Sequence, residues 1–474
     1  MLSAAQHEAV TSEAARPLQI LAGPGSGKTR VLTSRVAHLV RDSAAPIAPE
    51  RCVDVTFTNR AANEMRARLE TMIGADRTRR LVLGTFHAVC VRFLRRWGTR
   101  LGLDPRFTIA DTDDARRLLR DVDRDAPVDA TLAAISRAKA HGWTPDELRA
   151  SAQHAPGSPA HTEHLALCRT YAAYQQRLQE SHALDFDDLL LLGVRLFREH
   201  PELTTHIDHV LVDEFQDTNA VQYELLRRLS RHVSVVGDPD QSIYSWRHAD
   251  VRHIERMHLD FPGLHRVLLE ENYRSTPQIL EAALRVMQQD PHRLPKGLYT
   301  ALASGPPVSV VACHDADDEA LFVAREIRQH ARTTPYAHMS VLLRLTAHSR
   351  AFESIFHRLN IPYRLLGGVR FFDRAEVRDL LAYLTLADNP AYTPAVLRVL
   401  NVPKRGIGDT TVQKLLQAGR MNGVSASRAA RSDTGPATNI RELSPYQPSL
   451  ITVTSMLRMS PSSSASLSRR FSRS

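Results

Sequence analysis

The fold of this chain is decided by the segment Leu18-Gln19-Ile20-Leu21-Ala22-Gly23-Pro24-Gly25-Ser26-Gly27-Lys28-Thr29. Residues 18–22 are mostly apolar and predict a short strand, and residues 23–27 predict a turn. From Lys28 to Val40 the apolar residues recur on one side of a helix. A strand, a glycine-rich turn and an amphipathic helix in this order predict an α/β unit.

The turn has the pattern of a phosphate-binding loop, with Ala22 where the pattern begins with glycine. Glycines allow the backbone to wrap a polyphosphate, so that N–H groups and the start of the helix point at it. Lys28 then reaches the β- and γ-phosphates, and the Thr29 hydroxyl reaches Mg²⁺. The alternative is a fortuitous glycine-rich turn, which the flanking strand and helix disfavour. The predicted cofactor-binding residues are Ala22, Gly23, Pro24, Gly25, Ser26, Gly27, Lys28 and Thr29.

A second segment, Val210-Leu211-Val212-Asp213-Glu214-Phe215-Gln216-Asp217, predicts a buried strand that ends in two carboxylates. Asp213 suits a Mg²⁺ ligand acting through water, and Glu214 suits a general base that polarises the attacking water. The alternative is that these acids cap the following helix, which an isolated pattern of this kind would satisfy as well. The phosphate-binding loop in the same chain favours the catalytic interpretation.

Further strand patterns indicate a larger sheet. They lie at residues 52–57, 209–212, 232–236, 308–312 and 340–343. Asn59 is the predicted cap of a helix over 61–69. Residues 106–184 lack strand patterns and predict a helical insertion, and helical spacing returns over residues 376–419. Strands alternating with helices predict the fold class, α/β with parallel sheets flanked by helices.

The composition is that of a globular protein. The 474 residues carry 61 Lys and Arg against 52 Asp and Glu, a formal charge of +9, and 43% of them are hydrophobic. Collagen-like, wholly disordered and membrane-embedded classes are therefore excluded. No apolar run reaches the ~18 residues that span a bilayer, and the first residues lack a secretory pattern. Four widely spaced cysteines predict reduced thiols.

Much of the positive charge lies near the end of the sequence. Residues 422–474 hold seven Arg against Asp433 and Glu442, a net +5, so the other 421 residues carry +4. Fourteen serines without helical or strand periodicity predict a disordered tail over 421–474. The mild excess of basic residues in the whole chain is weak evidence for nucleic-acid binding, because much of it lies in this tail.

Further motifs show a resemblance to a known family. They include the segments Val235-Val236-Gly237-Asp238-Pro239-Asp240-Gln241-Ser242-Ile243-Tyr244-Ser245-Trp246-Arg247 and Glu271-Asn272-Tyr273-Arg274-Ser275. Together with residues 56–62, 84–87 and 183–188, these segments resemble the motifs of the UvrD/Rep/PcrA helicases of superfamily 1A, which include the fungal anti-recombinase helicases. The order and spacing match across residues 1–420, and the set is far more specific than any single motif.

The resemblance implies roles at the nucleotide site. Gln6 matches the glutamine that reads adenine, and Arg30 and Tyr273 match the residues that sandwich the base. Gln241 matches the sensor of the γ-phosphate, and Arg274 matches an arginine finger that stabilises charge on the transferring phosphoryl group. The implied catalytic set, with ATP as the nucleotide and Mg²⁺ held by Thr29 and Asp213, is Lys28, Asp213, Glu214, Gln241 and Arg274.

The resemblance also implies a site for single-stranded DNA. Phe57, Tyr244 and Trp246 match the aromatic residues on which this family stacks bases. Stacking tolerates any base sequence, which suits a motor that travels along a strand. Without the family match, aromatics at such spacing would more often belong to a core. The residues implied to contact the phosphate backbone are Thr58, Asn59, Thr85, His87 and Arg247.

The sequence departs from the family after residue 408. The resemblance continues through 340–344, 367–372 and 401–408, but residues 421–474 contain neither the fifth motif nor the sixth, which carries a second arginine finger. The tail is interpreted either as out-of-frame or intron-derived sequence or as a genuine regulatory tail. Truncation predicts a chain that binds ATP and single-stranded DNA, hydrolyses ATP slowly and does not unwind a duplex with a 3′ tail.

The implied architecture is two RecA-like P-loop domains with helical insertions. The predicted parts are domain 1A at 1–105 and 181–276, the helical insertion 1B at 106–180, a partial domain 2A at 277–375, the start of a helical domain 2B at 376–420, and the tail at 421–474.

The function implied is that of an ATP-dependent 3′→5′ DNA helicase and single-stranded DNA translocase of DNA repair or recombination control. The implied partners are single-stranded DNA, 3′-tailed duplex DNA and repair or recombination proteins, with no membrane. The implied location is the nucleus in a eukaryote, or nucleoid DNA otherwise. Two alternatives stay open: a non-motor module that binds ATP or single-stranded DNA, and a helicase–nuclease subunit, although no acidic nuclease cluster is found. A P-loop kinase would leave Tyr244, Trp246 and Arg247 unexplained.

Overall fold

A computed structural model describes residues 2–152, 157–230, 232–291, 293–294, 296–366, 374–408, 410–412, 414 and 417. These residues form two compact units. The first comprises the residues up to Gly305 and the described residues from Ala382 onward, and the second comprises Pro306–Leu381. The predicted tail at 421–474, the motif at 367–372 and the side chain of Arg247 lie outside this description.

One parallel sheet forms the centre of the first unit. The described residues contain eight strands: β1 (Leu18–Ala22), β2 (Cys52–Thr56), β3 (Val82–Thr85), β4 (Thr108–Ile109), β5 (Ala183–Leu184), β6 (His209–Val212), β7 (Val233–Gly237) and β8 (His265–Leu269). Six of them form the sheet in the order β3-β2-β6-β7-β1-β8, and β4 pairs with β5. The predicted parallel sheet is confirmed.

The register of the sheet brings three of the predicted motifs to one edge. Residues 18–21 of β1 pair with 234–237 of β7, and residues 52–55 of β2 pair with 209–212 of β6. Because the strands are parallel, their carboxyl ends lie at the same edge. The segments that follow β1, β2 and β6 therefore begin close together.

Helices of the first unit cover both faces of the sheet. Helices of both units make up most of the remaining secondary structure. They are α1 (Ala4–Thr11), α2 (Lys28–Ala37), α3 (Asn59–Ile73), α4 (Ala75–Arg80), α5 (Phe86–Trp97), α6 (Thr112–Val122), α7 (Val128–Ala140), α8 (Pro145–Ala150), α9 (Pro159–Glu180), α10 (Phe186–Glu199), α11 (Ala220–Leu229), α12 (Arg252–Asp260), α13 (Pro277–Met287), α14 (Ala316–His330), α15 (Ser349–Arg358), α16 (Ala375–Asp388) and α17 (Thr393–Val399). None of the helices in the described part of the chain is long and apolar enough to cross a bilayer.

Alternate strand residues enter two apolar cores. Val210 and Val212 of β6 pack with Phe93 of α5 on one face of the sheet. Leu211, between them, packs on the other face with Val36 of α2. Strand side chains point alternately to the two faces, so a strand covered on both sides needs a continuous apolar run. This explains why the apolar run of β6 is recognisable in the sequence.

Several predicted element ends differ from the observed ones. The helix predicted over Lys28–Val40 is α-helical only to Ala37 and continues as a π-turn over His38–Asp42. Helix α3 begins at Asn59, and its cap is Thr58, whose Oγ1 accepts from the Ala61 N–H at 3.1 Å. Asn59 as a cap was therefore wrong, because its own backbone is already helical.

The region predicted as strand-free, residues 106–184, contains both β4 and β5, which pair with each other. These strands are two residues long, which is too short for an alternating pattern to be visible in the sequence. Helices α6, α7 and α9 share an apolar core that includes Tyr171 and Tyr174, and residues of α17 join it.

In the second unit, α14 and α15 pack through a small core that includes Ala320 and Phe352. The strands predicted at 308–312 and 340–343 are absent from the described residues of this unit. Val310 is 97% exposed and Leu342 is 94% exposed. The apolar pattern at these positions meets no neighbouring strand to complete a hydrogen-bonded ladder, so the chain runs there as irregular structure.

A buried polar network lies between α2 and the sheet. The fully buried Arg35 guanidinium donates from Nε to Ser234 Oγ at 2.6 Å and from Nη1 to three carbonyl oxygens near the end of α1 at 2.9 to 3.2 Å. Ser234 Oγ also lies 2.8 Å from Nε2 of His209 on β6. Burial, and then the charge of Arg35, lowers the pKa of His209 to about 3. The imidazole is therefore neutral in the folded chain at neutral pH.

Acidification is expected to destabilise the fold through His209. The unfolded chain takes up a proton there near pH ~6.5, whereas the folded chain does so only near the lowered pKa of about 3. Stability is therefore lost as the pH falls below ~6.5, by about 2 kcal/mol at pH ~5. Urea unfolding at neutral pH and at pH ~5 measures the loss.

Two variants assign this loss to one residue. His209→Gln removes the titrating group and should shrink the pH-dependent difference in the free energy of unfolding. Replacing the exposed His258 by glutamine should leave the difference unchanged. An undiminished difference in His209→Gln would mean that other groups cause the acid sensitivity.

Candidate functional site

The phosphate-binding loop follows β1 and leads into α2. Gly25 and Gly27 have φ of 68° and 85°, a left-handed conformation that favours glycine. Ser26 is buried, and its Oγ donates to the Gly23 carbonyl at 2.7 Å. Lys28 is the first residue of α2, and the N–H groups of a first helical turn have no partner within the helix. The loop and the helix start therefore suit an anionic ligand.

The loop packs against residues 272–274. Asn272 Nδ2 donates to the Pro24 carbonyl at 2.6 Å, and the Tyr273 N–H donates to the Gly25 carbonyl at 3.0 Å. A Cβ atom at Gly25 would lie 2.7 Å from Cβ of Arg274. Residue 25 must therefore be glycine for Arg274 to lie beside the loop.

Gln6, in α1, is 3% exposed. Its Nε2 donates to the Ser26 carbonyl at 2.9 Å, and its Oε1 accepts from the Ser3 N–H at 3.1 Å. Both ends of the amide are thus bonded to the chain, and reading a base would require Gln6 to exchange one of these bonds. Arg30 is exposed and Tyr273 is 46% exposed, so both side chains that are predicted to sandwich the base are accessible to a nucleotide.

Asp213 and Glu214 follow β6 at the same edge of the sheet. The Asp213 N–H donates to the Val55 carbonyl at 2.9 Å, and the residue is 5% exposed. Burial, and then the neighbouring Glu214 carboxylate, raises the pKa of Asp213 to about 7, while Lys28 opposes the rise. Crowded carboxylates of this kind fit a bound divalent cation, whose charge would relieve their repulsion. Asp213 and Thr29 are the oxygen donors that would hold Mg²⁺.

A third carboxyl group lies nearby, within the sheet. Asp54 on β2 is fully buried, and neither of its carboxyl oxygens has a hydrogen-bond partner among the described residues. Burial, and then Asp213, raises the pKa of Asp54 well above its ordinary value. The group is therefore neutral, which adds no further negative charge beside Asp213.

Glu214 has a backbone conformation that residues other than glycine rarely adopt, with φ of 49° and ψ of 47°. Its N–H donates to Asp213 Oδ1 at 3.0 Å, and its Oε2 accepts from Gln216 Nε2 at 3.0 Å. These two bonds hold the strained turn and restrict the Glu214 carboxylate to one position.

Gln216 also links the carboxylates to the loop that carries Gln241. Its Oε1 accepts from the Asp238 N–H at 2.9 Å. The Asp238 carboxylate in turn accepts from Gln241 Nε2 and from Lys296 Nζ. A continuous chain of hydrogen bonds therefore joins Glu214 to the predicted γ-phosphate sensor.

Two cations of this network were missed by sequence reasoning. Lys296 Nζ lies 3.1 Å from Asp240 Oδ2, and Arg293 Nε lies 3.0 Å from the same oxygen. Both side chains are largely buried. More than fifty residues separate each cation from its partner, so no local pattern could have indicated the pairing.

The predicted DNA contacts meet in a second place, a groove of about 740 Å³. We call it the aromatic groove. Tyr244 lies beside it, with its ring centroid 5.1 Å from that of Phe57 and 6.0 Å from that of Trp246. Trp246 is 67% exposed, which argues against a core residue. The predicted contacts that line the groove are Phe57, Thr58, Asn59, Thr85, His87 and Trp246.

The groove has further lining residues that sequence reasoning did not select. Phe186 is 49% exposed, and its ring meets that of His87 edge to face at 5.9 Å. It lies within the motif 183–188, but an apolar helical pattern does not reveal which aromatic is exposed. Burial, and then Asp185, raises the pKa of the groove residue Asp187 to about 6.

Two family models match this chain. The family model for the UvrD/REP helicase N-terminal domain matches residues 2–262, and that for the UvrD-like helicase C-terminal domain matches residues 267–435. The second match thus runs past residue 420, where the predicted resemblance ends.

Two curated relatives are proteins called ATP-dependent DNA helicase PcrA. The one from Staphylococcus epidermidis is 39% identical over 440 residues, which cover 90% of this chain and 59% of the relative. The one from Staphylococcus aureus is 39% identical over 436 residues, which cover 89% and 58%. The chain thus spans about three fifths of the length of these relatives. Both relatives are bacterial and give the predicted nuclear location no support. With family matches over most of its length, the chain belongs to the UvrD/Rep helicase family.

Proposed function

We propose that this chain is an ATP-dependent 3′→5′ DNA helicase and single-stranded DNA translocase. One observation carries the proposal: residues 213–219 reach both sites. Lys28 lies close enough to Asp213 for its charge to oppose the raised pKa of that carboxyl group. Asp217 and Asn219, a few residues later, line the aromatic groove. A single short segment thus connects a site suited to phosphates with a groove suited to bases.

At the phosphate site each residue has a distinct task. Lys28 and Arg274 place positive charge beside the loop, where negative charge develops during phosphoryl transfer. Glu214 accepts a proton from the attacking water and orients it. Gln241 detects the terminal phosphate by exchanging its bond to Asp238. Asp213 and Thr29 would hold Mg²⁺, which would neutralise negative charge on the phosphate oxygens.

In the aromatic groove the rings of Phe57, Tyr244 and Trp246 offer stacking surfaces. Base stacking on aromatic side chains is insensitive to sequence, as a translocating enzyme requires. The exposed Thr58 and Asn59 at the start of α3 suit contacts to phosphate oxygens. Gln216 Nε2 donates to Glu214 Oε2 at 3.0 Å and lies 3.3 Å from Oδ2 of the groove residue Asp217, which supplies a route by which the nucleotide state changes the groove.

The direction of travel and the role in repair or recombination rest on the family resemblance, and the activity is supported by the printed names of the relatives. The test uses the purified chain with ATP and an oligo-dT strand. We expect ATP hydrolysis that DNA stimulates and strand separation that requires a 3′ rather than a 5′ tail, whereas the truncation interpretation of the sequence predicts slow hydrolysis and no strand separation. Hydrolysis unaffected by DNA, together with no binding of oligo-dT, would overturn the proposal. Separation of only the 5′-tailed duplex would overturn the direction.

Replacing Trp246 by alanine tests the aromatic groove. Loss of one stacking surface should weaken oligo-dT binding by about 1–3 kcal/mol, or roughly 5- to 150-fold, with little dependence on base sequence. Fluorescence anisotropy with dT and mixed-sequence oligonucleotides measures the effect. Leu259→Ala is the control, because Leu259 is 70% exposed but does not line the groove. Loss of the cooperative melt in Trp246→Ala would instead indicate a core role.

A further inference from the structure

His248 has a left-handed backbone conformation, which is uncommon in residues other than glycine. It follows the turn Ser245–Arg247 and has φ of 65° and ψ of 21°. Glycine adopts this left-handed conformation without steric cost, and asparagine adopts it more readily than most residues. A strained residue persists only where the surroundings impose it, and such residues cluster at binding sites. The location of the imidazole is therefore informative.

The imidazole lines the aromatic groove together with Trp246 and Arg137. Its centroid lies 6.3 Å from that of His141, which follows α7, and His141 stacks on Trp143 at 5.1 Å with an interplanar angle of 26°. The rings of His248, His141 and Trp143 thus form a row that continues from the groove toward the end of α7. This row extends beyond the aromatic residues Phe57, Tyr244 and Trp246 that the sequence predicted.

The surroundings favour the neutral form of the His248 imidazole. Burial, and then the charges of Arg137 and His141, lowers the pKa of His248 below its ordinary value. His141 Nδ1 lies 2.8 Å from the Arg137 carbonyl, to which it can only donate. A neutral flat ring beside a cation suits a base better than it suits a phosphate.

We propose that His248 is a further contact for single-stranded DNA, on which a base stacks next to the base held by Trp246. The inference rests on the proposed function, namely that the aromatic groove binds DNA. The row formed by His141 and Trp143 then extends the contact beyond the groove.

Two substitutions remove the ring and keep the backbone conformation. His248→Asn and His248→Gly should both bind oligo-dT more weakly, by roughly 5- to 150-fold, the range for one lost base–ring stack. Because both residues accept a positive φ, neither variant should melt at a lower temperature than the parent chain. A purely structural role predicts the reverse, with lower melting temperature and unchanged binding.

Trp246→Ala, measured beside these variants, separates the two possible failures. If Trp246→Ala binds weakly while both His248 variants bind like the parent chain, the inference is overturned and the proposed function stands. If all three bind like the parent chain, the groove is not the DNA site. A free histidine gains charge below pH ~6.5. If the His248 variants lose affinity only in that range, the charged form of His248 contacts a phosphate and does not stack on a base, and the inference is overturned.

Discussion

Replacing Lys28 by alanine is expected to reduce the rate of DNA-stimulated ATP hydrolysis by at least about 10³-fold. A cation that acts on a transferring phosphoryl group contributes on the order of 10³–10⁵ in rate, and Lys28 begins α2 directly after the phosphate-binding loop. The variant also loses the charge that opposes the raised pKa of Asp213. This carboxyl group would then stay protonated at higher pH and would bind a divalent cation less well. Phosphate release with and without oligo-dT measures the loss.

Arg41→Ala is the matched control for Lys28→Ala. It also removes one cation, from the turn that continues α2, where Arg41 pairs with Asp42 at the surface. This variant should hydrolyse ATP like the parent chain. Both variants should melt cooperatively near the parent temperature. Retained DNA-stimulated hydrolysis in Lys28→Ala would falsify the assignment of the phosphate-binding loop.

The sheet of the first unit could be predicted because each central strand carries its own signal. β1, β6 and β7 are buried on both faces, so each is a short apolar run bounded by turn residues. The same signal failed at 308–312 and 340–343, where Val310 and Leu342 are almost fully exposed. An apolar run indicates a preference for burial. A strand forms only where a partner strand also supplies the hydrogen bonds of a ladder.

The site residues that were found lie next to recognisable local patterns. Lys28 follows the glycine-rich turn, and Asp213 ends an apolar strand. Lys296 was missed, because it forms its ion pair with Asp238, which lies 58 residues away in the sequence. His248 was also missed, because its strained backbone and its place in the groove appear only in three dimensions. Sequence patterns thus indicate what a strand end carries, but not which distant side chains approach it.

Four described residues other than glycine have a positive φ, and two of them, Glu214 and His248, belong to the proposed sites. Local sequence preferences are commonly broken where a side chain must be held for function. Glu214 is held by Gln216, and His248 lies beside Arg137 and His141. The strain at Glu214 therefore motivates a substitution that keeps the shape of the side chain and changes only its chemistry.

Glu214→Gln is expected to bind ATP like the parent chain but to turn over about 10²–10⁴ times more slowly, the range for loss of a general base. The amide keeps an oxygen that can accept from Gln216 Nε2, as the carboxylate does at 3.0 Å. It lacks the basicity to take a proton from water. Fluorescent-nucleotide binding measures affinity, and single-turnover hydrolysis measures the chemical step.

Asp217→Asn is the control that separates general-base catalysis from a general loss of negative charge. Asp217 also lies near the Gln216 amide, at 3.3 Å, and burial, followed by Glu214, raises its pKa to about 6. If the effect at Glu214 were only electrostatic, Asp217→Asn would slow hydrolysis to a similar degree. We expect Asp217→Asn to retain most of its turnover in the absence of DNA, because Asp217 lines the aromatic groove. Loss of nucleotide binding as complete as the loss of hydrolysis in Glu214→Gln would show that Glu214 is structural and not the base.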